Sequence, residues 1–143
     1  MASGAKHSYG SQLKIGDGAG PEVFTAIAEV QKISASGIKL DALETTNLAS
    51  PDGYREFVGG LLDGGEISLS LKFLPDLAGH AALVTDQNAK TLRNFEWHIP
   101  TTTAKKFSFA ALITSISIDT DVEKVIEAEV TLKISGKPTL ASV

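Results

Sequence analysis

Residues 45–73 read TTNLASPDGYREFVGGLLDGGEISLSLKF, a segment in which a turn-rich half runs directly into a regular one. From residue 66 onward the side chains alternate: Ile67, Leu69, Leu71 and Phe73 fall on one face, and Glu66, Ser68, Ser70 and Lys72 on the other. Such alternation is typical of a β-strand with one buried face. The preceding half contains Pro51 and five glycines, which predicts a long loop over residues 44–65.

The predicted loop is unusual in both its length and its composition. Loops of this length are uncommon in compact domains and usually have a function. This one also carries large apolar side chains that a solvated connection does not need, namely Leu48, Tyr54, Phe57, Val58, Leu61 and Leu62. We therefore expect it to lie against another surface.

Outward from this stretch, the chain is mostly β-patterned. Strands are predicted at residues 11–15, 23–33, 37–43, 92–99, 106–118 and 125–134, with a slip of register near residue 31. One helix is predicted at residues 77–89, where apolar residues recur at helical spacing. The pattern favours a mainly β fold: an antiparallel β-sandwich or split barrel with one flanking α-helix, a long inter-strand loop and extended termini.

A single domain over residues 1–143 is expected from the chain length. Residues 1–10 are small and polar and predict a flexible N-terminal arm. Gly136 and Pro138 are predicted to end the last strand, which leaves a C-terminal tail at residues 136–143.

Composition favours a soluble, acidic protein. The apolar fraction is 43%, the charged fraction is 21% and the net charge is −4, which argues mildly against a nucleic-acid binder. There is no cysteine, so thiol chemistry and disulfides are excluded. The first residues lack an apolar run, so no signal peptide is expected, and no membrane segment is expected either.

No arrangement of residues in the sequence predicts an enzyme, a cofactor site or a metal site. The histidines, His7, His80 and His98, lie far apart and lack metal-ligand spacing. The glycines of GDGAGP at residues 16–21 lack the spacing of a phosphate-binding loop and are better explained by a turn. We therefore expect a protein without catalytic residues or cofactors.

Two segments carry a resemblance to a known family. They are LKIGDGAGPEVFTAIAEVQKIS at residues 13–34 and the stretch at residues 45–73. In their order and spacing they resemble the tail tube proteins of long, non-contractile-tailed bacteriophages, the lambda-like siphophage family. Residues 77–143 are similar to that family in their order of elements more than in motifs.

The resemblance implies a structural protein that self-assembles. Family members form hexameric rings that stack into a hollow tube, in which the inner sheets of neighbouring subunits join to line the lumen. The implied partners are other copies of the chain, the tape-measure protein, and the tail-tip and tail-terminator proteins. DNA would pass through the lumen without specific binding. The implied location is the virion tail, after assembly in the host cytoplasm.

Candidate assembly residues follow from the loop and the strand patterns. We expect subunit or inter-ring contacts from Leu48, Tyr54, Arg55, Phe57 and Leu61. The alternative is that these side chains fold back onto their own domain. A lumen that conducts DNA should be acidic, because a basic wall would retain the phosphates. The lumen-facing candidates are Glu127 and Glu129, followed by Ser68 and Ser70, unless these are ordinary solvent-facing strand residues.

Two other functions stay open at this stage. A tube subunit of a contractile tail or of a type VI-like secretion system would form similar rings inside a sheath. A ligand-binding β-sandwich module would display aromatic residues on a sheet face, and Phe95 and Trp97 are the hint for it. Their pattern is more typical of a core.

Overall fold

Antiparallel strands and one helix make up the fold. The computed structural model describes residues 2–143. The elements are β1 (Gln12–Gly16), β2 (Phe24–Ala26), β3 (Val30–Ser36), β4 (Lys39–Glu44), a short 3-10 helix (Pro51–Gly53), β5 (Phe57–Asp63), β6 (Glu66–Lys72), α1 (Ala78–Ala89), β7 (Arg93–Ile99), β8 (Lys105–Asp119) and β9 (Glu127–Ser142). The predicted fold class, a mainly antiparallel β-structure with one flanking helix, is confirmed.

Seven strands form one sheet in the order β2-β1-β7-β8-β9-β6-β3, and β4 and β5 form a separate pair. The long strands β8 and β9 belong to two layers. Layer A consists of β3, β6, residues 127–133 of β9 and residues 112–119 of β8. Layer B consists of β2, β1, β7 and the remaining halves of β8 and β9. Register shifts after Ser108 and Ile113 allow β8 to pass between the layers.

The core lies between the two layers and α1. Its fully buried members come from both layers and from the helix, and they include Leu13, Leu69, Leu71, Leu83, Phe95 and Leu132. Phe95 stacks on Phe109 with ring centroids 5.8 Å apart. Burial of each large side chain is worth about 1.5–3 kcal/mol, so this cluster dominates the stability of the monomer.

His80 fastens the start of α1 to the sheet. The buried imidazole accepts a hydrogen bond at Nδ1 from the N–H of Leu74 (2.9 Å), so its Nε2–H donates to the carbonyl of Ala28 (2.7 Å). The ring also stacks on Phe73, with centroids 5.9 Å apart. Both ring nitrogens are used within the fold, which makes His80 a structural residue.

Two sequence expectations about strand ends need correction. The strand expected at residues 23–33 is two strands, because Glu29 has a positive φ of 62° and turns the chain from β2 in layer B to β3 in layer A. The C-terminal tail expected at residues 136–143 belongs instead to β9, which ends at Ser142. Gly136 and Pro138 lie where the β8–β9 register shifts, so the missing N–H of the proline costs no ladder hydrogen bond.

Candidate assembly surfaces

A β-hairpin replaces most of the loop predicted at residues 44–65. Strands β4 and β5 pair from Lys39↔Asp63 to Glu44↔Phe57, so only residues 45–56 form the connection. The glycines at 59 and 60 obscured this strand in the sequence. In the structure, Leu40 lies beside Gly59, within van der Waals contact of where a Cβ would be, and Gly60 lies at the register shift between Leu40 and Ala42.

The β4–β5 hairpin continues the β3–β6 pair after a glycine corner. The register is the same on both sides, from Ser36↔Glu66 to Lys39↔Asp63. Between them lie Gly37 and Gly65, with φ of 75° and 80°. A Cβ on Gly65 would come within 2.2 Å of the Ser36 carbonyl oxygen, so only glycine fits there. The corner sets the direction in which the hairpin leaves the domain.

Asp63 connects the root of the hairpin to β9. Its Oδ1 accepts hydrogen bonds from the N–H of Gly65 (2.8 Å) and from Lys133 Nζ (3.0 Å). The Gly65 N–H, followed by Lys133, holds the pKa of the Asp63 carboxyl below its usual value. The N–H of Ile134 donates to the Gly65 carbonyl at 3.1 Å, which adds a backbone bond at the same corner.

Both faces of the hairpin expose large apolar side chains. Cross-strand partners share a face, so the register places Leu40, Phe57 and Leu62 on one face and Leu43, Val58 and Leu61 on the other. Each of these side chains is more than half exposed. Contiguous apolar surface on a soluble protein marks an interaction site. Because neither face is covered, the hairpin lacks a core of its own.

The residues predicted for assembly contacts, Leu48, Tyr54, Arg55, Phe57 and Leu61, all lie on this hairpin and its connection. Leu48 is fully exposed, and Tyr54 is 75% exposed. None of the five is buried against its own domain, and their role in assembly stays a prediction. Sequence reasoning missed Leu40 and Leu43, because apolar residues on both faces of β4 made its pattern ambiguous.

The lumen candidates Ser68, Ser70, Glu127 and Glu129 share the polar face of layer A, opposite the core. Ser70 is paired with Glu129 across β6 and β9. Charges on this face are mixed: Asp119, Glu66, Glu127 and Glu129 are acidic, and Lys32, Lys72 and Lys133 are basic. Three of the four acids, Asp119, Glu127 and Glu129, lie at the end nearest the β8–β9 turn. Acidity is therefore concentrated at one end of the face.

Layer A has two unpaired edges. Within residues 2–143, β3 pairs with β6 on one side and with no strand on the other. The second half of β8 pairs with β9 but extends beyond β7, whose pairing ends at Arg93↔Ala111. An exposed edge offers backbone N–H and C=O groups to a strand of another chain.

The GDGAGP turn is a structural feature. Asp17 Oδ1 accepts from the N–H groups of Ala19 (2.9 Å) and Val23 (3.1 Å), which lower the pKa of its carboxyl in that order. Arg93 bridges this turn to α1, because it donates to the Asp17 carbonyl and to the Asp86 carboxylate, each at 3.0 Å. The Asp86 carboxylate raises the pKa of Arg93, so the bridge keeps its charge.

Across residues 2–143, no helix is both long and apolar enough to cross a membrane. In the same range, no group of three or more histidine, aspartate or glutamate side chains is placed to hold a metal ion. The surfaces that stand out in this fold are thus the apolar hairpin, the open edges and the polar face of layer A.

Comparison with known proteins identifies a family to which this chain is similar. The family model described as lambda phage tail tube protein matches residues 9–141. A search of curated proteins finds no match.

Several solved structures share the fold. In the tail of an empty gene transfer agent particle refined with C6 symmetry, a chain is 21% identical, with a TM-score of 0.80, over 96% of this chain and 100% of that one. In the SPP1 tail tube, the matching chain is 14% identical with a TM-score of 0.70, and the match covers 93% of this chain and 77% of that one. In the sheath-tube complex of an extracellular contractile injection system, the matching chain is 16% identical with a TM-score of 0.69, and the match covers 94% of this chain and 90% of that one.

Proposed function

Because the chain belongs to the lambda phage tail tube protein family, we propose that it is the repeating subunit of the hollow tube of a long, non-contractile phage tail. Hexameric rings of the subunit stack along the tail axis and form the conduit for DNA. The observation that carries this proposal is the apolar hairpin, whose two exposed faces need a second chain to cover them.

Ring formation uses the open edges of layer A. The free edge of β3 in one copy adds to the second half of β8 in its neighbour, which satisfies backbone groups that a single copy leaves to water. Repeated around a ring, this pairing joins the layers into one closed wall. The C6 symmetry used for the gene transfer agent tail supports six copies.

Contacts outside this wall come from the hairpin. Leu48 and Tyr54 are exposed on the connection between β4 and β5, and Phe57 and Leu61 supply one apolar side chain to each face. Arg55 on the same connection lies 3.9 Å from Glu44. Burial on both faces requires either two neighbours or a cleft between them. The hairpin therefore suits contacts between subunits and between rings.

The polar face of layer A lines the lumen. Glu127 and Glu129 form an acidic band at one end, and Ser68 and Ser70 supply neutral polar groups. Such a wall gives phosphates no uninterrupted basic track, so DNA can pass without being held. In the double variant Glu127→Lys and Glu129→Lys, tubes should still form, and DNA delivery should fall. Unchanged delivery would contradict the lumen assignment.

The partners follow from the position in the tail. Tape-measure protein fills the lumen during assembly, and tail-tip and tail-terminator proteins cover the two ends of the tube. Support comes from similar folds in a sheath/tube terminator structure and in a tube-terminating cap. Assembly takes place in the host cytoplasm, and the product is part of the virion.

A contractile tube is the second candidate function, because the fold is also shared with the contractile sheath-tube complex. The two candidates differ in whether a sheath surrounds the tube. A sheath gene beside the gene for this chain, or particles that contract, would favour the contractile system.

Negative-stain electron microscopy of the purified chain tests the assembly directly. We expect sixfold rings and hollow tubes, with tube formation favoured at high protein concentration. A chain that stays monomeric at all concentrations, even with its tail-tip complex added as a nucleus, would contradict the proposal.

A further inference from the structure

Charge is distributed unevenly along the β8–β9 hairpin. The end at the turn carries Asp119, Asp121, Glu123, Glu127 and Glu129 with Lys124 as its one cation, whereas the other end carries Lys105, Lys106, Lys133 and Lys137. Residues 104–118 and 130–143 contain no aspartate or glutamate. The two strands are 15 and 16 residues long, so this polarity runs from one end of the domain to the other.

The acidic end carries an apolar tip. Val122 is fully exposed at the turn, between Asp121 and Glu123. The turn has a defined shape, because Asp121 Oδ1 accepts from the N–H of Glu123 and the Asp121 carbonyl accepts from the N–H of Lys124, each at 3.1 Å. We call residues 120–126 the apex. Its tip presents Val122 with a carboxylate on either side, and Val125 and Ile126, just before β9, are exposed as well.

A groove of about 700 Å³ lies at the opposite end of layer A, between the root of the β4–β5 hairpin and β9. Its apolar lining comes from Ile38, Leu61, Leu62, Ile134 and Pro138, and its charged lining from Lys39, Lys137, Asp41 and Asp63. Asp63 is already bound to Lys133 and to a backbone N–H. Lys39 and Lys137 then face Asp41 as the one other anion of the lining, which leaves the groove with one positive charge in excess.

We propose that the groove of one copy receives the apex of a second copy in the adjacent ring. Val122 enters the apolar lining, and Asp121 and Glu123 face Lys39 and Lys137. The inference rests on the proposed stacking function and identifies its two contact sites. Because apex and groove lie at opposite ends of layer A, a docked pair keeps one free apex and one free groove, and the stack grows without closing.

The occupant is identified by complementarity. A short apolar tip flanked by carboxylates matches an apolar groove with lysines at its rim, and both occur on this chain. Lys72, which lies opposite Glu127, and Lys124 offset part of the negative charge at the acidic end. At the basic end, Lys106 forms an ion pair with Glu96. Asp121 and Glu123 still flank Val122 at the tip itself. The contact should weaken as salt screens these charges.

A cysteine cross-link tests the contact on the full chain, which contains no native cysteine. The variant Val122→Cys with Leu62→Cys should give, on oxidation, a ladder of covalent multimers on a non-reducing gel, because each copy provides both an apex and a groove. The matched control pairs Val122→Cys with Leu92→Cys, an exposed site outside the groove, and should give no ladder.

The cross-link also separates this inference from the proposed function. Tubes in the micrographs without a ladder, or an equal ladder from the Leu92→Cys control, would overturn the apex-groove contact and leave the tube function standing. Absence of both tubes and ladder would overturn the two together.

Charge reversal gives an independent measurement. Asp121→Lys with Glu123→Lys, and separately Lys39→Glu with Lys137→Glu, should each leave a folded chain that forms no tubes. An equal mixture of the two variants should restore tubes, because each reversed apex then meets a reversed groove. Lys6→Glu with Lys90→Glu controls for net charge and should assemble normally. Normal tubes from either reversed variant alone, or a mixture that fails to restore them, would overturn the contact.

Discussion

The β8–β9 and β4–β5 hairpins have the same construction, two antiparallel strands joined by a turn, but opposite environments. The first places Phe109, Val130 and Leu132 in the core, each at most 5% exposed. The second leaves Phe57 and Leu61 at 54% and 83% exposed. Apolar side chains in this chain therefore serve two purposes: the core-facing ones of β8–β9 stabilise the monomer, and the exposed ones of β4–β5 are available to a second chain.

The largest change in monomer stability is expected at the core hairpin. Leu132→Ala removes a fully buried side chain and leaves a cavity, so the free energy of unfolding should fall by about 2–5 kcal/mol. Urea denaturation followed by circular dichroism measures the change. A loss below 1 kcal/mol would mean that Leu132 is not packed as described.

An intermediate effect is expected at the corner between the domain and the exposed hairpin. Gly65→Ala puts a Cβ against the Ser36 carbonyl at a positive φ, so the unfolding free energy should fall by about 1–3 kcal/mol. Gly79→Ala is the matched control, since its Cβ meets open space on α1 and should stabilise the chain by up to about 1 kcal/mol. Equal effects of the two variants would show that the corner is not constrained.

The smallest change in stability, with the greatest contrast in function, is expected at the exposed hairpin. Phe57→Ser with Leu61→Ser should change the unfolding free energy by no more than about 0.5 kcal/mol, because both side chains are solvated in the monomer. Tube formation in electron micrographs should nevertheless be lost. A stability loss comparable to that of Leu132→Ala would place these side chains in the core and remove the contrast between the hairpins.

Most of the correct strand predictions came from the alternation of apolar and polar residues along the sequence. Strand β6 and the first half of β9 have one buried face each, so their register follows from period two, and α1 begins at Ala78 where residue 77 was expected. Strand β5 was not predicted, for two reasons. Gly59 and Gly60 have a low propensity for strands, and a strand with apolar side chains on both faces shows no alternation of apolar and polar residues. The extension of β9 through Pro138 depends on its partner β8, which local sequence does not reveal.

The sequence identified residues of the candidate site but did not show how they are arranged in space. The side chains of Tyr54 and Phe57 were recognisable as unusual for a solvated loop. Their presentation on a projecting hairpin depends on Gly37 and Gly65 lying opposite each other, which only the pairing of β3 with β6 brings about. The structural roles of His80 and Arg93 likewise depend on contacts between distant segments.

The most direct test of the division between the two hairpins is to remove the exposed one. Lys39 and Asp63 are cross-strand partners, so residues 40–62 can be replaced by a two-residue Asn-Gly turn that joins them. Analytical ultracentrifugation with urea denaturation then reports assembly and stability of the same sample. We predict a soluble, cooperatively folded monomer that forms no tubes. A shortened chain that still polymerises, or that is insoluble because its core has been lost, would contradict this account.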